Sequence, residues 1–163
     1  PPITPDVYFA NINSTTGGLD AWTNAGPLPE PLLGHAMFNI GDKLYVIGGV
    51  GTDYLPRNKV WVTTVNPDGT INGWTDTNNN IGNAVYHFMS TRIGDYLVVA
   101  GGRGPKLHGG TMYKEVYLAK INPDGTLEKW VKTTEDLPIV LCCAGIAATA
   151  HRIYITGGHD ARV

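Results

Sequence analysis

The chain has 163 residues, of which 16 % are charged, and its formal net charge at pH 7 is -2. This length predicts one domain with a hydrophobic core of its own, and because no basic stripe runs along the chain we do not expect nucleic acid as a partner. No apolar run approaches the ~18 residues that a membrane-spanning helix needs, so no membrane span is predicted.

The chain contains 21 glycines and 11 prolines and lacks apolar residues at helical spacing, which predicts an all-β fold of short strands and many turns. The first predicted element is a hairpin over residues 7–24, in VYFANINSTTGGLDAW. It opens with Val, an aromatic and an apolar residue, turns at glycine and ends on Trp22. The same plan returns at 60–74 and 116–130.

The second and third copies of this hairpin share the bend NPDGT, at residues 66–70 and 122–126. In Asn-Pro-Asp-Gly, Pro fixes φ at the second turn position and Gly takes the left-handed position after it, which predicts a tight type I turn. A calcium loop needs several oxygen ligands at set spacing, and one Asp per bend supplies too few. We therefore favour a structural bend over a metal site.

A different hairpin ends in a double glycine and also occurs three times, in HAMFNIGDKLYVIGG, HFMSTRIGDYLVVAGG and GIAATAHRIYITGG. The two hairpin types alternate, so one repeat is four short strands, and the repeat period is 52 and 56 residues between the tryptophans. A period of this size is typical of one blade of a β-propeller. The predicted units are an outer hairpin at 7–24, complete blades at 35–76 and 86–132, and an inner hairpin at 144–158.

This pattern resembles the kelch-repeat family, whose blades carry Gly-Gly after the second strand, then an aromatic residue, then Trp. The matching residues are Gly48, Gly49, Trp61 and Trp74; Gly101, Gly102, Tyr117 and Trp130; and Gly157 with Gly158, while Trp22 closes the N-terminal hairpin. The chain departs from the family in the longer stretch between aromatic residue and Trp, where the NPDG bend lies. The resemblance implies a kelch-like propeller, and most such propellers are recognition platforms.

About three blades cannot close a propeller, since closed ones use about four to eight, and open sheet edges would be exposed and sticky. The outer hairpin lacks inner strands and the inner hairpin lacks outer ones, so the two are complementary. We expect the chain to be half of a six-bladed propeller. Its partner is either a second copy of itself or the remaining half of a longer repeat protein, and the sequence leaves both open.

The loops on one face of such a propeller contain the candidate ligand-binding residues Tyr54, Arg57, Arg103, Lys106, His108, His159, Asp160 and Arg162. Arg, His and Tyr side chains make directional or charge-assisted contacts with carboxylates and sugar hydroxyls. Arg103 and His159 each follow a Gly-Gly pair, so they are expected at equivalent positions near the propeller axis. The simpler alternative is that these loops are polar because they are solvated.

No catalytic or cofactor motif is visible, and we predict no cofactor and no metal. None of the five histidines lies in a zinc-binding spacing, and His35 and His87 are interpreted as structural residues that open successive inner strands. The adjacent Cys142 and Cys143 are interpreted as small, buried, reduced residues at the start of a strand, in preference to a vicinal disulfide.

The leading functional interpretation is a non-enzymatic recognition or assembly module that binds a protein or glycan on the loop face. One alternative is a part of a kelch-like sugar-active enzyme, either a sugar-acid isomerase or a copper-radical oxidase; the candidate residues for the oxidase would be Tyr54, Tyr113, His35, His87 and Cys142. Another is a structural tile of an extracellular appendage, which the low charge and the abundance of Gly, Thr and Asn would suit. The sequence leans toward a secreted or extracellular location without fixing it.

Overall fold

The computed structural model of the chain describes residues 2–105 and 110–160. Within these ranges all regular structure is β-strand, and every sheet is antiparallel, which confirms the predicted all-β class. In the described part of the chain, no helix has the length and apolar character required to cross a membrane.

The first complete sheet has four strands in chain order: β3 Ala36–Ile40, β4 Lys43–Ile47, β5 Val60–Thr64 and β6 Thr75–Asp76. The β3–β4 hairpin turns at Gly41, which has a φ of 62° and so occupies the left-handed region that glycine adopts without steric cost. On β4, Tyr45 pairs with Phe38 on one side and with Val62 on the other. The alternating apolar residues of β4 therefore face the neighbouring sheets, while the paired backbones satisfy their hydrogen bonds.

The second complete sheet repeats this plan, with β7 Met89–Ile93, β8 Tyr96–Arg103, β9 Met112–Lys120 and β10 Val131–Lys132. The pairing of β8 with β9 shifts between Ala100 and Gly102. Gly101 lies at this irregularity with a φ of 62°, and a Cβ atom there would overlap the carbonyl oxygen of Leu141. The double glycine therefore lets the main chain of one repeat approach the main chain of the next.

Two-stranded sheets stand at the two ends: β1 Asp6–Phe9 pairs with β2 Thr23–Pro27, and β11 Gly145–Ala148 pairs with β12 Ile153–Thr156. The first pair packs on the first complete sheet, because Val7 contacts the cluster of Leu28, Leu32 and Val46. The second pair packs on the second complete sheet, where Ile146 and Ile155 join the cluster of Met89, Ala100 and Leu141. The four sheets therefore follow one another in a row, in chain order.

The largest core lies between the two complete sheets. Its most buried members include Ile47, Val60, Ile81 and Leu97, each at 1 % exposure or less. Burying one aliphatic side chain of this size contributes about 1.5–3 kcal/mol. Because these residues come from both sheets and from the loop between them, this core fixes how one sheet sits against the next.

The NPDGT bends form the predicted turns. The amide of Gly69 donates to the carbonyl of Asn66 at 2.9 Å, and the amide of Gly125 donates to that of Asn122 at 2.9 Å. Asp124 accepts hydrogen bonds from the amide and hydroxyl of Thr126, at 3.0 and 2.7 Å, and the first bend repeats this pattern between Asp68 and Thr70. These bonds, led by the one from the threonine hydroxyl, lower the pKa of both aspartates.

Candidate binding site at the inner edge of the sheets

A line of main-chain hydrogen bonds joins successive repeats just before the first strand of each sheet, β3, β7 and β11. This end of the sheets is called the inner edge. The amide of His87 donates to the carbonyl of Gly34 at 2.8 Å, and the amide of Cys143 donates to that of His87 at 2.9 Å. These three residues have φ angles of 65°, 52° and 57°, so two non-glycine residues adopt the left-handed conformation, at a cost of order 1–3 kcal/mol each. The inner edge is therefore a place where the surrounding structure holds strained backbone.

From their place before successive strands, His35 and His87 would be expected at equivalent positions, but this geometry places them at different ones. His87 corresponds to Gly34, whereas His35 is one residue further along and lies against Gly49. The hydrogen bond between repeats requires a left-handed backbone at Gly34, His87 and Cys143. The residue type at this position therefore differs from one repeat to the next. Burial lowers the pKa of His35, and a backbone hydrogen bond with Leu32 opposes this effect.

The double glycines connect the same repeats a second time. The amide of Gly49 donates to the carbonyl of Val85 at 2.8 Å, and the amide of Gly102 donates to that of Leu141 at 2.8 Å. The residues that follow each Gly-Gly pair form isolated bridges of one kind: Val50 with Leu33, Arg103 with Tyr86 and His159 with Cys142. Arg103 and His159 thus occupy equivalent positions on adjacent sheets.

Arg103 lies beside buried neighbours. The thiol of Cys142 and then the hydroxyl of Tyr86 raise the pKa of Arg103, and these two residues are 0 % and 2 % exposed. Burial, together with the charge of Arg103, lowers the pKa of His87. The inner edge therefore places a guanidinium near a neutral imidazole, and His159 on the next sheet is exposed.

Cys142 and Cys143 are both free thiols, with their sulfur atoms 3.2 Å apart. Cys142 is buried as predicted, but the prediction is wrong for Cys143, which is exposed. Desolvation by the surrounding chain raises the pKa of the Cys143 thiol to about 11, and hydrogen bonding to Cys142 adds to this effect. The Cys143 thiol is therefore protonated at neutral pH, and thiolate chemistry is disfavoured there.

The structure places Arg57 in a different environment from the other candidates. Its guanidinium forms ion pairs with Glu30 at 2.8 Å and Asp53 at 3.2 Å, and it also donates to the carbonyl of Leu55 at 2.6 Å. Arg57 therefore ties two loops together. Tyr54 lies in the same loop with 56 % of its surface exposed.

The remaining candidates divide into two groups. Asp160 follows His159 and is half-buried. Lys106, His108 and Arg162 lie outside the described residues. Across residues 2–105 and 110–160, no group of three or more His, Cys, Asp or Glu side chains could hold a metal ion.

A cavity of about 440 Å³ lies at the opposite end of the sheets, between the β3–β4 turn and the second NPDGT bend. On its wall the amine of Lys43 donates to the carbonyl of Asp124 at 3.1 Å, and nearby the hydroxyl of Tyr45 donates to the carbonyl of Gly125 at 2.8 Å. Sequence reasoning missed this junction between sheets, although the recurring IGD turn and NPDGT bend were its signal. Both acceptors are main-chain atoms, so the contact depends little on the side chains of the bend.

No protein-family model matches the chain, and no curated protein matches it. Its fold is similar to a solved structure described as "Structure of YjhT", with a TM-score of 0.69 and 20 % sequence identity. The match covers 94 % of this chain and 46 % of the YjhT chain. At this identity the likeness shows the fold alone, and the chain spans less than half of the length of YjhT.

Proposed function

We propose that the chain is a segment of a kelch-like β-propeller that binds an acidic or hydroxyl-rich group of a protein or glycan where its loops meet the inner edge. The observation that carries this proposal is the position of Arg103, whose main chain is hydrogen-bonded to that of Tyr86 beside Cys142 and His87, with His159 at the equivalent place on the next sheet. A guanidinium on main chain that is held in place before the ligand arrives can form strong charge-assisted hydrogen bonds with an acidic group.

The propeller part of the proposal is supported by the row of similar sheets. Each complete sheet has four antiparallel strands in chain order, and each is tied to the next by the same inner-edge hydrogen bonds. Four-stranded sheets repeated radially are the construction of a propeller. The likeness to 46 % of the YjhT chain is consistent with a fold that continues beyond the strands of one copy of this chain.

The binding proposal is tested with a glycan array, followed by calorimetric titration of the glycans that bind. Arg103→Ala is compared with Arg92→Ala, because Arg92 donates to the carbonyl of Gly94 in a turn at the opposite end of the second sheet. We expect Arg103→Ala to weaken binding by about tenfold or more, since a charge-assisted hydrogen bond contributes about 1.5–3 kcal/mol, and Arg92→Ala to leave it unchanged. Equal effects of the two variants would move the binding site away from the inner edge.

A further inference from the structure

We infer that the junction between the two complete sheets contains a second binding site, which takes an uncharged oligosaccharide. The site is a groove beside β6 and β10, the last strands of these sheets. One wall is the loop 77–80 that follows β6, and the other is the segment 127–130 that precedes β10. We call this site the outer groove. Each wall continues a strand of a complete sheet, and the outer groove is separate from the inner edge.

The outer groove has the dimensions of a ligand site. A cavity of about 440 Å³ lies between the two walls, and a second cavity of about 220 Å³ continues from it toward Tyr45 and Thr126. The two cavities share Thr77, Asn79 and Leu127 as lining residues, so they form one depression. Small-molecule sites usually measure about 300–1,000 Å³. Two joined cavities of this size suit a chain of linked rings.

Hydrogen bonds fix the two walls against each other. The side-chain nitrogen of Asn79 donates to the carbonyl of Glu128 at 2.7 Å, and its oxygen accepts from the main-chain amide of Trp130 at 3.3 Å. The hydroxyl of Thr77 donates to the carbonyl of Val60 at 2.8 Å. Because these bonds are in place before a ligand arrives, the groove loses little conformational freedom on binding.

The polar groups that face a ligand are the side chains of Asn78 and Asn80. Both residues are exposed and line the larger cavity. Within residues 2–105 and 110–160, neither side chain forms a hydrogen bond. Each carboxamide has donor hydrogens and an acceptor oxygen, so it can donate to one sugar hydroxyl and accept from its neighbour. The exposed amine of Lys129 adds further donors at the same wall.

An apolar surface lies beside these carboxamides. Leu127 and Trp130 are half-buried, and both pack against the central core while they also line the larger cavity. A sugar ring presents C–H groups on its faces and hydroxyls around its rim. An aromatic and an aliphatic side chain next to hydrogen-bonding amides therefore match both parts of the ring.

The four-stranded plan of the repeat does not require these asparagines. Counted from the tryptophan of each repeat, the residues of the second sheet at the places of Asn78 and Asn80 are Thr134 and Asp136. Asp136 forms an ion pair with Lys132 at 3.4 Å. The first sheet thus presents two amides without partners at a place where the second sheet has an ion pair, which points to a ligand as the partner of these amides.

The lining favours an uncharged saccharide over other ligand classes. Among the described residues that line the larger cavity, none has a carboxylate and Lys129 alone is cationic. An acidic ligand is usually bound by several cations. An extended peptide adds to an exposed strand edge, and the edge strand at this groove, β6 Thr75–Asp76, has 2 residues.

The test is a titration with uncharged oligosaccharides prepared from starch, cellulose and chitin, followed by calorimetry and by tryptophan fluorescence. The main variant combines Asn78→Gly with Asn80→Ala. Glycine is used at 78 because Asn78 has a φ of 54°, a left-handed conformation that glycine adopts without strain. We expect the unmodified chain to bind at least one of these saccharides with a change in fluorescence. We expect the variant to raise the Kd about tenfold, because two hydrogen-bonding groups are lost.

Thr134→Ala is the matched control, because Thr134 is the exposed equivalent of Asn78 on the second sheet, and we expect it to leave the Kd unchanged. Urea midpoints of all variants report whether the fold is kept. Asn80→Ala alone, at a position without left-handed backbone, provides a second variant should the double substitution unfold the chain.

An unchanged Kd in both asparagine variants, or no binding of any of the saccharides at millimolar concentration, would overturn the inference. Arg103→Ala is titrated in parallel, because it separates the outer groove from the proposed inner-edge site. A saccharide whose Kd rises in Arg103→Ala but not in the asparagine variants binds at the inner edge, which supports the proposed function and contradicts this inference. Binding that is lost in the asparagine variants and kept in Arg103→Ala supports the outer groove.

Discussion

The junction between the two complete sheets and the exposed side of the β11–β12 pair share residue types at equivalent positions. Within residues 2–105 and 110–160, a neighbouring sheet covers only the first. Tyr45 is 2 % exposed in the covered junction, and Tyr154 is 54 % exposed on the β11–β12 pair. Trp130 likewise packs against the central core, whereas Trp22 of the N-terminal pair is 65 % exposed. The repeat therefore defines which groups form a contact, and a neighbouring sheet is needed before those groups contribute stability.

The largest difference in the free energy of unfolding is expected between alanine variants of two equivalent glycines, Gly101 and Gly157. Gly101 and Gly157 both have positive φ angles, but only Gly101 has a neighbour, the Leu141 carbonyl, where a Cβ atom would lie. Both Gly→Ala variants incur about 1–2 kcal/mol of backbone strain, and Gly101→Ala adds about 1–3 kcal/mol of overpacking. Urea unfolding at high dilution measures the difference. Equal losses at the two positions would mean that the β11–β12 pair is covered in the single chain.

The tryptophans give the next contrast. Trp130→Ala removes a half-buried side chain from the core, and we expect a loss of about 2–3 kcal/mol, below the range for a fully buried aromatic. Trp22→Ala removes an exposed side chain and should cost less than about 1 kcal/mol. Thermal unfolding of both variants against the unmodified chain measures this. A Trp22→Ala variant as unstable as Trp130→Ala would contradict the view that its hairpin lacks neighbouring strands.

A smaller contrast is expected for the two tyrosine hydroxyls. Tyr45→Phe removes the hydrogen bond to Gly125 and leaves the carbonyl of that residue without its donor, so we expect a loss of about 1 kcal/mol. Tyr154→Phe should leave the unfolding of the single chain unchanged, because its hydroxyl has no partner within the described residues. The urea unfolding midpoints of Tyr45→Phe and Tyr154→Phe, measured at low and at high protein concentration, distinguish the effects of the two substitutions. A concentration-independent loss for Tyr154→Phe would place its partner inside the same chain.

The smallest effect is expected from pH. Burial lowers the pKa of His35 and His87 below the unfolded value of about 6.5, so the unfolded chain binds these protons first as pH falls. Stability from the neutral imidazoles is therefore complete above about pH 6.5 and declines as pH falls through that value toward the folded-state pKa. We expect His87→Asn to flatten the decline in thermal midpoint between pH 7 and 5.

His151 provides the control for this experiment, because it lies exposed in the β11–β12 turn. His151→Asn should keep the slope of the unmodified chain. If His87→Asn and His151→Asn both show the pH dependence of the unmodified chain, the decline in thermal midpoint between pH 7 and 5 arises from groups other than His87.

The strand pattern was predictable from sequence because double glycines, NPDGT bends and alternating apolar residues are local signals. The left-handed backbone of His87 and Cys143 was harder to predict from sequence. Their own side chains do not favour this conformation, and the hydrogen bond that requires it comes from another repeat. Arg57 was predicted as a ligand-binding residue, but its ion pairs with Glu30 and Asp53 depend on how two loops approach. Whether a tryptophan is buried depends on the next sheet, which the local sequence does not describe.

The hydrogen bonds between sheets are received mostly by main-chain carbonyls, as at Gly125 and Asp124. A carbonyl is present at every residue, so substitutions in a bend preserve its acceptor as long as the backbone keeps its path. Repeats joined in this way can diverge in sequence while their sheets continue to stack.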